Sequence, residues 1–88
     1  MKVEFDKSFS KSIDNLKERR VKERVIKFIE KLEKAESLFE LTQIKKLKGD
    51  NISYRKKIGS YRVGFEFDNN TVTLIVIAHR KDIYKSFP

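Results

Sequence analysis

Residues 52–79 have the sequence ISYRKKIGSYRVGFEFDNNTVTLIVIAH, in which three runs of strand-forming residues are separated by two short turns. The runs are rich in Ile, Val, Tyr, Phe and Thr, which favour the pleated conformation. They cover residues 52–58, 61–68 and 71–79. Gly59-Ser60 and Asn69-Asn70 lie between the runs, and glycine and asparagine tolerate the left-handed backbone that hairpin turns need. The sequence therefore predicts an antiparallel meander of three strands.

The region before the meander predicts one strand and two helices. Val3 and Phe5 alternate with charged residues, which is the pattern of a short half-buried strand, and Asp6 or Ser8 can cap a helix that follows. Apolar residues then recur at spacings of three, four and seven along one helical face, at Phe9, Ile13, Leu16, Val21, Val25, Phe28, Ile29 and Leu32. Because residues 17–20 interrupt this face with charges, we expect a helical hairpin joined by a tight turn.

Two segments are less distinct. Apolar residues spaced by three within residues 35–47 fit a loop with one helical turn that returns the chain to the sheet. Residues 83–87 fit a short terminal turn or helix. We therefore expect a single α+β domain over residues 1–88, with an N-terminal strand, a helical hairpin, a three-strand meander and a short C-terminal element.

The charge balance indicates a polyanionic partner. The chain has 21 Lys and Arg against 13 Asp and Glu, a net charge of +8, and nucleic acid is the first partner that such a charge suggests. Most of the excess lies in the second half, since residues 45–88 carry 10 basic and 4 acidic side chains. Charge alone is equally compatible with a basic protein that binds no nucleic acid.

The composition also excludes several classes of site. The chain has no cysteine, so it can form neither a disulfide nor a thiolate metal site. No apolar run approaches the roughly 20 residues that a membrane span needs, and the N-terminus lacks the pattern of a signal peptide. We expect a cytoplasmic protein that needs no metal or cofactor and binds no membrane.

Side-chain alternation brings cations together on one face of the meander. If the apolar side chains of the first two strands face the core, then Arg55, Lys57 and Arg62 share the opposite face. Arg80 ends the third strand and Tyr84 follows one turn later, so both can reach the same concavity. Like charges this close repel one another, and an anion is their natural companion.

This group of residues suits phosphate chemistry on RNA. Arginine presents forked donors to phosphate oxygens, lysine a point charge, and tyrosine a ring or a hydroxyl. When the 2′-hydroxyl of RNA attacks its own phosphate, preorganised cations can stabilise the developing charge without a metal. A general anion-binding surface or a merely solvated face fits the same residues.

Two other polar residues are not expected to act in the chemistry. His79, the only histidine, falls by alternation with Thr73, Ile75 and Ile77, away from Arg80, so we expect it to be structural. Glu66 lies on the cationic face, where a lone carboxylate more often tempers positive charge than acts as a base.

Three motifs resemble the RelE/ParE toxin superfamily. They are IKKLKG at residues 44–49, YRKKIGSYRV at residues 54–63 and AHRKDIY at residues 78–84. The resemblance covers nearly the whole chain in length and in the order of its elements. It implies the RelE-like fold and a type II toxin-antitoxin system, in which a small RelB-like antitoxin binds the toxin in a hetero-oligomer.

The RelE branch implies a ribosome-dependent endoribonuclease that cleaves mRNA in the A site. Carried over by position, the catalytic residues are Lys57, Arg62, Arg80 and Tyr84. The residues expected to bind RNA are Lys48, Arg55, Lys56 and Lys81. Arg55 departs from the family, whose closest RelE members have lysine there. Because arginine does not exchange its proton at ordinary pH, any base role falls to Lys57 or Tyr84.

The sequence leaves three alternatives open. The ParE branch shares the fold but inhibits DNA gyrase. The presence together of Arg55, Lys57, Arg62, Arg80 and Tyr84 argues against it. A non-catalytic RNA-binding or ribosome-binding protein would account for the charge alone. A degenerate toxin would keep only antitoxin binding and repression of its operon.

Overall fold

The computed structural model describes all 88 residues and contains one five-stranded sheet with two helices packed on one face. The strands are β1 (Lys2–Phe5), β2 (Ile44–Lys46), β3 (Ser53–Ile58), β4 (Tyr61–Asp68) and β5 (Thr71–His79). The helices are α1 (Lys7–Asn15), α2 (Arg19–Lys34) and α3 (Ile83–Ser86), with a 3-10 helix at Leu38–Glu40. The strand order is β1-β5-β4-β3-β2.

The predicted meander is confirmed. Strands β3, β4 and β5 pair antiparallel in sequence order, and their bounds differ from the predicted runs by one residue, at the start of β3. Gly59, Asn69 and Asn70 have positive φ angles of 58°, 50° and 58°. The two turns therefore use the conformation for which glycine and asparagine were expected.

The N-terminal strand and the helical hairpin are also confirmed. Asp6 caps α1 by accepting a hydrogen bond of 3.0 Å from the backbone N–H of Ser8. The break between the helices lies at residues 16–18 and overlaps the charged interruption predicted at residues 17–20. Strand β1 pairs in parallel with β5, Val3 lying opposite Val72.

The segment between α2 and β3 differs from the prediction. A 3-10 helix supplies the expected helical turn, and a short edge strand, β2, follows it and pairs with β3. Gln43 precedes this strand with a positive φ of 60°. A strand of three residues is too short to show an alternating pattern, so the sequence gives no period by which to recognise β2.

The main core lies between the helices and the sheet. Its eleven buried residues are Phe9, Leu16, Val25, Phe28, Leu32, Ile58, Val63, Phe65, Val72, Leu74 and Ile77. Tyr54 stacks on Phe65 within this layer, with ring centroids 5.5 Å apart. The apolar face predicted for β3 and β4 is thus the face that the helices cover.

A bulge in β5 changes the predicted face of one residue. Gly64 pairs with Val76 but Phe65 pairs with Leu74, so Ile75 has no partner of its own. After the bulge the alternation is reversed, and Thr73 pairs with Glu66 while His79 pairs with Tyr61. The prediction that His79 shares a face with Thr73 was wrong, because it assumed an unbroken strand.

A second, smaller apolar cluster lies on the opposite face of the sheet and holds the C-terminal segment. It consists of Leu47, Val76, Ile83 and Phe87. The expected C-terminal turn or helix is α3, and the ring of Phe87 packs directly on Gly64, where a Cβ atom would lie 2.6 Å from it. The missing side chain at position 64 therefore makes room for Phe87. No helix is of the length and apolar character that crossing a bilayer requires.

Candidate functional site

A cleft lies on the face of the sheet opposite α1 and α2. Its volume is about 390 Å³, and it is lined by Gln43, Ile44, Lys45, Arg55, Lys57, Arg62 and Tyr84. Strands β2, β3 and β4 supply its floor, and α3 supplies the tyrosine. Four of the seven lining residues are basic and none is acidic, so the cleft is built to receive an anion.

Arg55 and Tyr84 are in contact within the cleft. The guanidinium carbon of Arg55 lies 4.5 Å from the centroid of the Tyr84 ring, which is a cation–π contact. The Nε atom of Arg55 is buried and has no hydrogen-bond partner. Because Ile83 and Phe87 anchor α3 in the second apolar cluster, the Tyr84 ring is held beside Arg55 although 71% of the residue is exposed.

The cations of the cleft act on the Tyr84 hydroxyl. Arg55, first by hydrogen bonding and then through its charge, lowers the pKa of Tyr84 below its ordinary value of 10.0. Desolvation opposes this shift, while the charges of Lys45 and Arg62 add to it. All three cations favour the phenolate, so the site prepares this hydroxyl to give up a proton.

Lys57 and Arg62 face each other across the hairpin. They are paired in the register of β3 and β4, which places two like charges side by side. Arg62 donates hydrogen bonds of 2.9 Å from one guanidinium nitrogen to the carbonyl oxygens of Gly59 and Tyr61. These carbonyl groups hold Arg62 in place, while Lys57 is exposed and free to bind an anion.

The structure does not bring every predicted residue into the cleft. Arg80 is exposed and does not line the cavity, although its backbone N–H donates to the carbonyl oxygen of Ser60 at 2.8 Å. Lys48 and Lys81 are also exposed and outside it. Arg80 therefore stands one strand away from Arg62, beside the turn between β3 and β4.

Lys56, which was expected to bind RNA, does not line the cleft. Its side chain lies on the helix-covered face, where Nζ is 5.3 Å from the centroid of the Phe28 ring and donates a hydrogen bond of 2.8 Å to the Thr42 carbonyl oxygen. Alternation along β3 requires this, because Lys56 lies between Arg55 and Lys57.

Lys45 is a cleft residue that the sequence analysis missed. It sits on β2 opposite Arg55, lines the cavity and helps to lower the Tyr84 pKa. Its only sequence signal was the basic motif at residues 44–49, and the strand that places it was not predicted.

His79 and Glu66 lie outside the cleft. His79 packs against Tyr61 in an edge-to-face contact with centroids 5.5 Å apart, and its Nδ1 accepts the backbone N–H of Lys81 at 3.2 Å. Glu66 pairs with Ser53 and Thr73 along the sheet and does not line the cleft.

Comparison with known proteins gives consistent results. A family described as the ParE toxin of the type II toxin-antitoxin system parDE matches residues 3–84. Toxin RelE3 of Methanocaldococcus jannaschii is 37% identical over 89 residues, which cover 100% of both chains. The matched range includes every residue of the cleft.

Solved structures show the same fold. A chain of the RelB-RelE antitoxin-toxin complex from Methanococcus jannaschii has a TM-score of 0.83 and 33% identity, over 97% of this chain and 99% of that chain. A chain of the archaeal RelE-RelB complex from Pyrococcus horikoshii has a TM-score of 0.72 and 23% identity, over 90% and 93% of the two chains.

Proposed function

This chain belongs to the RelE branch of the RelE/ParE toxin superfamily of type II toxin-antitoxin systems, and we propose that it is an endoribonuclease that cleaves mRNA in the ribosomal A site. The observation that carries the proposal is the Tyr84 phenol, held beside Arg55 with its pKa lowered, in a cleft that also contains Lys57 and Arg62. Neighbouring cations favour the phenolate form of Tyr84, and a phenolate can act as the base when a 2′-hydroxyl attacks phosphorus.

In the proposed reaction the 2′-oxygen of one nucleotide bonds to the adjacent phosphorus as the bond from phosphorus to the 5′-oxygen breaks. The Tyr84 phenolate accepts the proton of the 2′-hydroxyl and becomes the phenol, and the Lys57 ammonium donates a proton to the leaving 5′-oxygen. Arg62 binds the phosphate oxygens, and Arg55 binds the neighbouring backbone while it sets the pKa of Tyr84. The products are a 2′,3′-cyclic phosphate and a 5′-hydroxyl, and the ribosome positions the message.

The remaining predicted residues are assigned to the margin of the cleft. Arg80 is exposed and tied by its backbone to the turn at Ser60, and we assign it to close on the phosphate when RNA binds. Lys48 and Lys81 would contact RNA backbone outside the cleft.

A RelB-like antitoxin is the proposed protein partner, because the structural relatives are chains of RelB-RelE complexes. An acidic segment of the antitoxin would neutralise the cationic cleft in a toxin-antitoxin hetero-oligomer. Action on ribosomes would place the toxin in the cytoplasm.

The proposal is tested by translating a defined message in vitro with purified protein and mapping cleavage by primer extension. We expect cuts at the A-site codon, and none in a control without ribosomes. An intact message would exclude the proposal and direct the next assay to DNA gyrase, the target implied for the ParE branch.

Replacing Arg62 with Ala is expected to lower the cleavage rate on ribosomes by about 10²-fold, which is typical for loss of one preorganised donor to developing charge. The measurement is the single-turnover rate at saturating toxin. Arg20→Ala is the matched control, because Arg20 is exposed on α2 and should leave the rate unchanged. Equal rates for the two variants would remove Arg62 from the proposed site.

Replacing Arg55 with Gln should raise the Tyr84 pKa toward 10.0, since Arg55 is the main cause of its lowering. If the phenolate is the base, the rate increases as pH rises through this pKa. The increase should then occur at higher pH in the variant, and the rate at neutral pH should fall. Spectroscopic titration of tyrosinate, with Tyr84→Phe to assign the signal, gives the pKa independently. An unchanged pH profile would contradict the base role.

A further inference from the structure

A second cationic groove lies on the other face of the sheet, between α2 and β3. Its volume is about 540 Å³, and Lys57 is the one lining residue that the proposed mechanism uses. Six of its lining residues are basic, namely Arg24, Lys27, Lys31, Lys34, Lys56 and Lys57.

Four of these cations form a row along α2. Arg24, Lys27, Lys31 and Lys34 are spaced by three, four and three residues, so they lie on one side of the helix. At a rise of 1.5 Å per residue, the row extends over roughly 15 Å. All four side chains are exposed, so the row can follow an extended polyanion.

The groove contains little negative charge to balance these cations. Glu40 is its one acidic lining residue, and its Oε2 atom already accepts the backbone N–H groups of Glu36 and Ser37 at 2.8 and 3.1 Å. Desolvation and then the charges of Lys31 and Arg24 lower the pKa of Lys56. The cations therefore repel one another in the absence of a bound anion.

The groove is continuous with the cleft around the edge of the sheet. Gln43 and Lys57 line both cavities, and the Lys57 backbone N–H donates to the Gln43 carbonyl oxygen at 2.9 Å. A flexible anionic strand held in the cleft can pass this edge and enter the groove without crossing the hydrophobic core.

An exposed aromatic residue is close in sequence to residues that line the groove. Phe39 is 100% exposed, and its neighbours Glu40 and Leu41 line the groove. Exposed aromatic rings and cations together bind single-stranded nucleic acid, because bases stack on the rings while the cations follow the backbone.

We propose that this groove binds single-stranded RNA that flanks the phosphate held in the cleft, with the α2 cations on the backbone and Phe39 stacked on an unpaired base. The inference rests on the proposed function in one respect, namely that the strand bound in the cleft is RNA. RNA is favoured over an acidic peptide because the groove shares Gln43 and Lys57 with the cleft, so that one continuous strand can occupy both.

The test compares two lengths of 2′-O-methyl RNA, which lacks the attacking hydroxyl and cannot be cut. A probe of about 4 nucleotides reaches the cleft alone, and one of about 12 nucleotides can also enter the groove. The variant Lys31→Glu/Lys34→Glu should bind the long probe at least tenfold more weakly than the wild type, with a shallower dependence on salt. It should bind the short probe as the wild type does. Fluorescence anisotropy over a range of salt concentrations measures both.

Two control variants separate the effect of the position of the charges from the effect of the net charge. Lys11→Glu/Lys17→Glu makes the same change in net charge at exposed sites outside the groove and should keep most of the affinity for the long probe. Lys31→Arg/Lys34→Arg should keep all of it. Equal weakening in the groove variant and the Lys11/Lys17 variant would overturn the proposal, as would unchanged RNA binding together with lost binding of an acidic antitoxin peptide.

Phe39→Ala tests the stacking separately. It should weaken binding of the long probe and leave binding of the short probe unchanged. If the proposed function is wrong, the wild-type protein does not cleave mRNA on ribosomes, but its affinity for RNA still depends on the length of the probe. The two hypotheses can therefore fail independently.

Discussion

Tyr84→Phe is expected to slow cleavage of mRNA on ribosomes by about 10²- to 10⁴-fold, the range for loss of a general base. The substitution removes only the hydroxyl, so the ring can keep its contact with Arg55, which lies 4.5 Å from the ring centroid. The affinity for ribosomes should therefore be nearly unchanged. Single-turnover cleavage and ribosome cosedimentation measure the two quantities separately.

Tyr61→Phe is the matched control for this experiment. Tyr61 lies on the opposite face, where Glu18 raises its pKa, so its hydroxyl should not affect cleavage. If Tyr84→Phe cleaves at the wild-type rate, the phenol is not the base, and a pure RNA-binding role would account for the cleft better.

Gly64→Ala is expected to disturb the cleft indirectly, by displacing the Phe87 ring that packs on position 64. The added Cβ would lie 2.6 Å from the Phe87 ring, which is too close for two carbon atoms that are not bonded, so the ring must move. Overpacking of this kind typically costs about 1–3 kcal/mol of unfolding free energy. Because Phe87 helps to anchor the helix that carries Tyr84, cleavage should fall as well. Urea denaturation and the cleavage assay give the two effects.

A double-mutant cycle identifies the cause of that loss. If Gly64→Ala acts through Phe87, then Phe87→Ala combined with Gly64→Ala should be no less stable than Phe87→Ala alone. Simple addition of the two losses would show that position 64 acts through the strand itself.

Most of the fold could be predicted from local patterns. The three strands of the meander each extend over six residues or more, long enough for alternation and turn residues to identify them. The helices α1 and α2 show a full apolar face. Strand β2 has three residues, which is shorter than two periods of alternation, and its position depends on pairing with β3 rather than on its own sequence.

Side-chain alternation within β3 and β4 was enough to predict part of the candidate site. It was not enough where a strand has a bulge or is too short to recognise. Arg55, Lys57 and Arg62 reach one cleft because β3 and β4 have no bulge between them. The bulge at Ile75 changes the face of His79, and a bulge has no dependable signal in a single sequence. Lys45 joins the cleft only through the unpredicted β2.

The pairing of β1 with β5 has a consequence for the order in which the protein folds during synthesis. β1 is made first, but its hydrogen-bonding partner is the last strand to leave the ribosome. Closing so long a loop is slow compared with forming the helices. Until β5 is complete, the apolar faces of α1 and α2 have no finished sheet to cover, so a nascent chain that stalls before β5 carries neither a closed core nor an assembled cleft.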